Sequence, residues 1–246
     1  MRKVLILAAA VALSTAARAD EAAVAVVKKA VEAHGGAKAL TAIKAGEMTL
    51  KATLNVMGTD VDFEGESAYA FPDKMSVSLT GEVMGQKVAV VQVVNGDKAK
   101  MTVNGTAVPL EDKQKDELKQ GIAVREMGLI APLLDKKYTL QAEADEKVGG
   151  ADAAVVRVSA TGLKDAKLFF DKKTHLLVRV QRQGLDQSGQ EVDTVSDLSD
   201  FKTVDGIQSP MTVKVTHDGK AFMTMTISNM QFYDKPTEEK KFDAGK

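Results

Sequence analysis

The groups in this chain that could do chemistry are three histidines, a spaced series of aspartates and many scattered hydroxyls. His34 follows a helical stretch, His175 falls in a turn and His217 ends a strand. None has a second His at the spacing of a tetrahedral zinc site, so all three are read as solvent-facing loop residues. Asp193, Asp197, Asp200 and Asp205 come nearest to a calcium loop, whose ligands alternate within about a dozen residues. They straddle a strand instead, which makes them solvated edge positions. No G-x-S-x-G elbow presents a serine nucleophile. No glycine cluster follows a strand in the pattern that cradles phosphate. There is no Cys at all. The chain is therefore expected to be no enzyme, to hold no metal and to need no cofactor.

What stands out instead is apolar and soft. The chain has 11 Met, a residue that makes adaptable apolar surface. Met48, Leu50 and Leu54 share one face of a strand, and Phe63, Met75, Val77 and Leu79 continue it. Met223, Met225 and Ile227 supply a matching face near the end of the chain. Together they would line one side of a curved sheet. Two readings stay open at this point: an ordinary core packed by the N-terminal helix, or a partly unfilled greasy groove.

The elements that would position these faces follow from periodicity. Glu21 to Ala33 has Val24, Val27, Ala30 and Val31 at helical spacing. His34-Gly35-Gly36 stops it, and Ala37 to Ile43 makes a second short helical turn. From Gly46 the period falls to two, the mark of a strand with one apolar face. Strands follow through Phe71, over Met75–Thr80 and over Gln86–Val94; the last is apolar enough to be covered on both faces. Asn95-Gly96-Asp97 and Asn104-Gly105 are hairpin turns by their chemistry. Glu111 to Leu134 interrupts the strands with a charged, then apolar, helical stretch closed by Pro132. Seven more strands run from Tyr138 to Phe232. The expectation is a mainly β fold of about eleven antiparallel strands with few helices, curled into an incomplete barrel.

The N-terminus reads as an export signal. Met1-Arg2-Lys3 is basic, Val4 to Leu13 is an unbroken apolar run, and Ala17-Arg18-Ala19 offers small residues for cleavage before Asp20. Ten apolar residues make a helix of about 15 Å, roughly half a bilayer's hydrocarbon thickness. No Cys follows the cleavage point, so no lipid anchor is expected there. Residues 20–246 are read as one domain. The full chain has net charge −1; losing the basic Arg2, Lys3 and Arg18 leaves −4. A mildly acidic balance argues against nucleic acid and against a polybasic membrane patch.

The order of motifs resembles a known family. It runs from signal, helix and His34-Gly35-Gly36 to Phe71-Pro72-Asp73-Lys74-Met75, Asn95-Gly96-Asp97-Lys98 and the central helical insertion. Phe170-Asp171-Lys172-Lys173-Thr174-His175-Leu176-Leu177 follows, then Ser199-Asp200-Phe201-Lys202-Thr203-Val204-Asp205-Gly206-Ile207, Ser209-Pro210 and Phe242. This resembles the LolA-like superfamily of outer-membrane lipoprotein-sorting proteins and their relatives. The resemblance implies an incomplete barrel with helices across its open side and a cavity that carries acyl chains through the periplasm. Leu118, Ile122, Met127, Leu129 and Ile130 would then be lid residues, and the Met-rich sheet faces would bind lipid. Two positions depart from the family. The lipoprotein carrier has an Arg before the Pro of the strand corner, where this chain has Phe71, and a Trp where this chain has Lys100.

The expected function is thus a soluble, monomeric periplasmic carrier of lipoproteins or another lipid, serving bacterial outer membrane biogenesis. The alternative is a sensor of the same fold that reads lipid and binds an inner- or outer-membrane protein.

Overall fold

In a computed structural model, residues 20–56, 58–186, 188–235 and 239–245 are described. The expected export signal lies outside them. The elements run α1 (Glu21–Ala33), α2 (Ala37–Ala42), β1 (Ala45–Val56), β2 (Thr59–Ala70), β3 (Lys74–Val83), β4 (Gln86–Asn95), β5 (Lys98–Val103) and β6 (Thr106–Val108). Then come α3 (Asp112–Met127), a 3₁₀ turn (Ala131–Leu134), β7 (Tyr138–Val148), β8 (Ala151–Ala160), β9 (Ala166–Asp171) and β10 (Leu177–Leu185). β11 (Glu191–Val204), β12 (Ile207–His217), β13 (Lys220–Tyr233) and a 3₁₀ turn (Glu239–Phe242) complete the order.

One antiparallel sheet holds 13 strands in the order β6-β5-β4-β3-β2-β1-β13-β12-β11-β10-β9-β8-β7. It is an open sheet, an incomplete barrel, as the alternation predicts. The two strands beyond the expected eleven are β5 and β6, short pieces between hairpin turns that were legible as turns. Every neighbour in the sheet is also a neighbour in sequence except β1 and β13, whose pairing runs from Ala45↔Tyr233 to Leu54↔Met223. That one long-range pairing joins two hairpin runs back to back. It also leaves β6 and β7 as the two edges, so the chain between them must cross the open side. α3 is that crossing. Its 16 residues span about 24 Å.

The helices divide the concave face between them. α1 buries Ala23, Val27, Ala30 and Val31 against Leu140, Val156, Val158, Leu168 and Phe170 from β7, β8 and β9. Asp20 fixes its entry: one carboxylate oxygen accepts from Ala22 N–H and the other from Ala142 N–H, both at 2.9 Å. These hydrogen bonds, Ala142 first, hold the Asp20 carboxyl below its usual range. The turn after α1 passes through Gly35, with φ at +124°, where a Cβ would stand 2.5 Å from Gly206 O. Only glycine lets the chain turn this close to the β11–β12 hairpin.

The other half of the concavity, under α3, holds two smaller clusters. Met48, Leu50, Ala52, Tyr69, Met211 and Ile227 form one. Met75, Val94 and Ile122 form the other. On the convex face Phe242 is buried over Ala45, Ala68 and Ala70, with its carbonyl accepting from Asn95 Nδ2 at 3.0 Å.

Two expectations need correction. β4 is covered on both faces only at Val93 and Val94, and its residues 88–92 stay half-exposed. The reason is that Phe242's segment and α3 reach only one end of the strand. His34 is not a solvent-facing loop residue but is 4% exposed. Its Nδ1 lies 2.8 Å from Ala30 O, and its Nε2 accepts from Leu177 N–H at 3.4 Å. Burial therefore lowers its pKa, with the Ala30 hydrogen bond opposing.

Candidate functional site

The two packed regions of the concave face do not meet fully, and a cavity of about 270 Å³ remains beneath α3. Met48 comes from β1 and Tyr69 from β2; Met225, Ile227, Met230 and Phe232 come from β13; Val213 comes from β12 and Leu198 from β11. α3 and its C-terminal turn close it with Gly121, Val124, Arg125, Gly128 and Leu129. The volume lies just below the range of about 300–1,000 Å³ common for ligand sites. A Cβ at Gly121 would meet nothing within 4 Å, so the helix is thinnest where it borders this space.

Of the sheet residues singled out from sequence, Met48, Met225 and Ile227 line the cavity. Leu50, Leu54, Leu79 and Met223 belong to the same apolar cluster. Met75 and Val77 pack instead against Ile122 and Leu118 of α3. Phe63 is 8% exposed and lies across Gly81, whose added Cβ would stand 2.7 Å from its ring. The expected lid residues split three ways. Leu118 and Ile122 dock the helix, Leu129 lines the cavity, and Met127 and Ile130 are sunk in the core with α1. The last two cannot move without unpacking that core.

Polar contacts tether α3 along its length. Glu117 and Arg182 pair at 2.5 Å, each less than one-fifth exposed. Gln120 bridges to Gly162 O and Lys164 N–H. Glu126 accepts from Lys137 Nζ and from Tyr138 Oη at 3.0 Å. Burial, followed by the Glu126 charge, raises the Tyr138 pKa. The exposed Lys119–Asp97 pair at 2.8 Å adds little, since solvent screens such pairs.

Sequence reading missed Arg125. It lies in the last turn of a strongly polar helix, where a cation is ordinarily solvated. The residue keeps intermediate exposure, and desolvation lowers its pKa despite the opposing influence of Tyr69. The guanidinium carbon stands 5.0 Å from the Tyr69 ring centroid, and Nη1 is 3.9 Å from Met48 Sδ. Arg125 is carried by α3 and not by the strand corner after β2. Phe71, at that corner, packs against Tyr69 with ring centroids 5.0 Å apart.

A larger depression of about 850 Å³ lies against the other face of β1–β4. Lys51, Asp62, Glu64, Glu82 and Lys87 line it, and they alternate with the cavity-facing residues. That makes it solvated exterior.

The chain has a LolA-like fold. Three solved structures align along nearly their whole length. A LolA superfamily protein from Nitrosomonas europaea is 12% identical, covering 89% of this chain and 96% of the other, with a TM-score of 0.55. A DUF1329 family protein from Desulfovibrio piger is 14% identical over 89% and 96%, with a TM-score of 0.54. A domain classed as an outer membrane lipoprotein-sorting protein, from Vibrio parahaemolyticus, is 15% identical over 91% and 97%, with a TM-score of 0.52. No family model and no curated protein matches the sequence.

Proposed function

We propose that this protein is a periplasmic carrier that shelters acyl chains of a lipoprotein or another lipid beneath α3. The observation that carries the reading is the apolar cavity itself. It sits where the helix crossing from one sheet edge to the other meets Met48, Met225 and Ile227. Each buried methylene is worth about 0.8 kcal/mol, so a sixteen-carbon chain hides roughly 13 kcal/mol of unfavourable water contact. A cavity of this size takes a whole chain only if α3 shifts, which makes its docking residues Leu118 and Ile122 the gate. Export and a cleaved signal ending at Ala19 belong to the same reading, as does free diffusion as a monomer between two membranes.

The test is native mass spectrometry of protein purified from its own periplasm, with acyl-probe titration alongside. Co-purified lipid that exchanges with vesicles is the expected result. Absence of both lipid and probe binding would sink the proposal. Gly121→Leu should fill the cavity from the helix side and abolish probe binding while leaving the melting temperature in place. Ligand-dependent capture of one envelope protein, without exchange to vesicles, would favour a sensor.

A further inference from the structure

Arg125 has five N–H donors and no carboxylate partner among the described residues. Its one hydrogen-bond acceptor is the Met48 sulfur, a weak one. Tyr69 supplies a ring face but no charge, because burial pushes its hydroxyl up to about 12. On the same helix Glu117 is committed to Arg182, Glu126 to Lys137 and Tyr138, and Asp112 to Lys115. A partly desolvated cation without a counter-ion is costly.

We propose that the cavity takes an anionic amphiphile, with Arg125 as counter-ion to its carboxylate or phosphate; this rests on the lipid-binding reading of the same cavity. A planar guanidinium matches either oxyanion in a two-pronged, charge-assisted hydrogen bond. The tail would run along Met225, Ile227 and Met230. A neutral head group would leave the guanidinium unpaired, so the site discriminates by what it leaves unsatisfied as well as by what it binds.

The test uses the mature chain loaded with the neutral dye N-phenylnaphthylamine, displaced by palmitate, lysophosphatidate or monopalmitoylglycerol. Both anions should displace the dye at concentrations about tenfold or more below the glyceride. The stronger of the two anions identifies the head-group source. Arg125→Gln should remove that advantage, weakening both anions about tenfold relative to the glyceride, and retained dye loading reports a folded cavity. Arg125→Lys should retain part of it. A glyceride that competes as well as the anions in the parent protein would overturn the inference, as would equal weakening of all three ligands by Arg125→Gln. In either case the cavity would still bind lipid. If neither the dye nor any competitor binds, the lipid-binding reading fails, and this inference with it.

Discussion

Replacing Ile122 with Ala should release α3 from the sheet without unfolding the rest of the molecule. Ile122 is 2% exposed and packs on Met75 and Val94, with Phe71, Val77 and Leu118 around it. The other buried residue of the helix, Met127, belongs to the core under α1. Ile122 is therefore the apolar anchor of the part of the helix that spans the opening. Its truncation removes three carbons, about 2.5 kcal/mol at ~0.8 kcal/mol each. The space left behind raises the cost to about 3–4 kcal/mol. At tenfold per ~1.4 kcal/mol, local opening of the helix should become about 140- to 700-fold more frequent. Peptide-resolved hydrogen exchange should show that acceleration over residues 112–126, while α1 and β8–β9 keep their protection. Equal acceleration across α1 and the sheet would refute the argument, because α3 would then be part of the common core and not a separable cover. Unchanged exchange in α3 would refute it as well, by showing that the polar tethers hold the helix alone.

Other perturbations test the same architecture. Glu117→Gln leaves Arg182 largely buried without its partner and should cost about 2–4 kcal/mol in urea unfolding, whereas Glu117→Met with Arg182→Met should be nearly neutral. If the single and double variants are equally destabilised, the loss comes from packing and not from an orphaned charge. His34 carries a pH dependence whose sign follows from its lowered pKa. The unfolded chain takes up the proton first, so stability is complete above the unfolded value of about 6.5 and falls as pH drops below it. His217 is lowered too, mainly by burial, so urea midpoints across that window should be compared between the parent and His34→Gln. The variant should show a shallower decline, and an unchanged slope would assign the effect to His217. Gly65→Ala would place a Cβ 1.9 Å from Ser78 O. It should lower the thermal midpoint by the equivalent of about 2–3 kcal/mol, and a neutral result would mean that β2 and β3 can separate there without cost.

Much of this fold could be read from the chain. The 3.6-residue spacing in Glu21–Ala33 gives α1 at its observed bounds, and the two-residue alternation from Gly46 onward gives the strands. The helical interruption at Glu111–Leu134 corresponds to α3 and the turn after it. These are local properties: a period says which side of an element is apolar, and Gly or Asn at a turn says where the chain reverses. The sequence also placed Met48, Met225 and Ile227 on one apolar face.

Their meeting in one cavity depends on the β1–β13 pairing, between segments more than 160 residues apart, which no local period encodes. Once that pairing joins the two hairpin runs, β6 and β7 become the edges and α3 has to bridge them. The bridge carries Arg125 to the wall of that cavity, although on a polar helix it reads as one more solvated cation. It likewise leaves Met127 and Ile130 in the core and His34 beneath Leu177. Alternation and turn chemistry decided the elements and their apolar faces. Which faces close on one another, and which polar side chains are trapped between them, was decided only by the sheet's long-range closure.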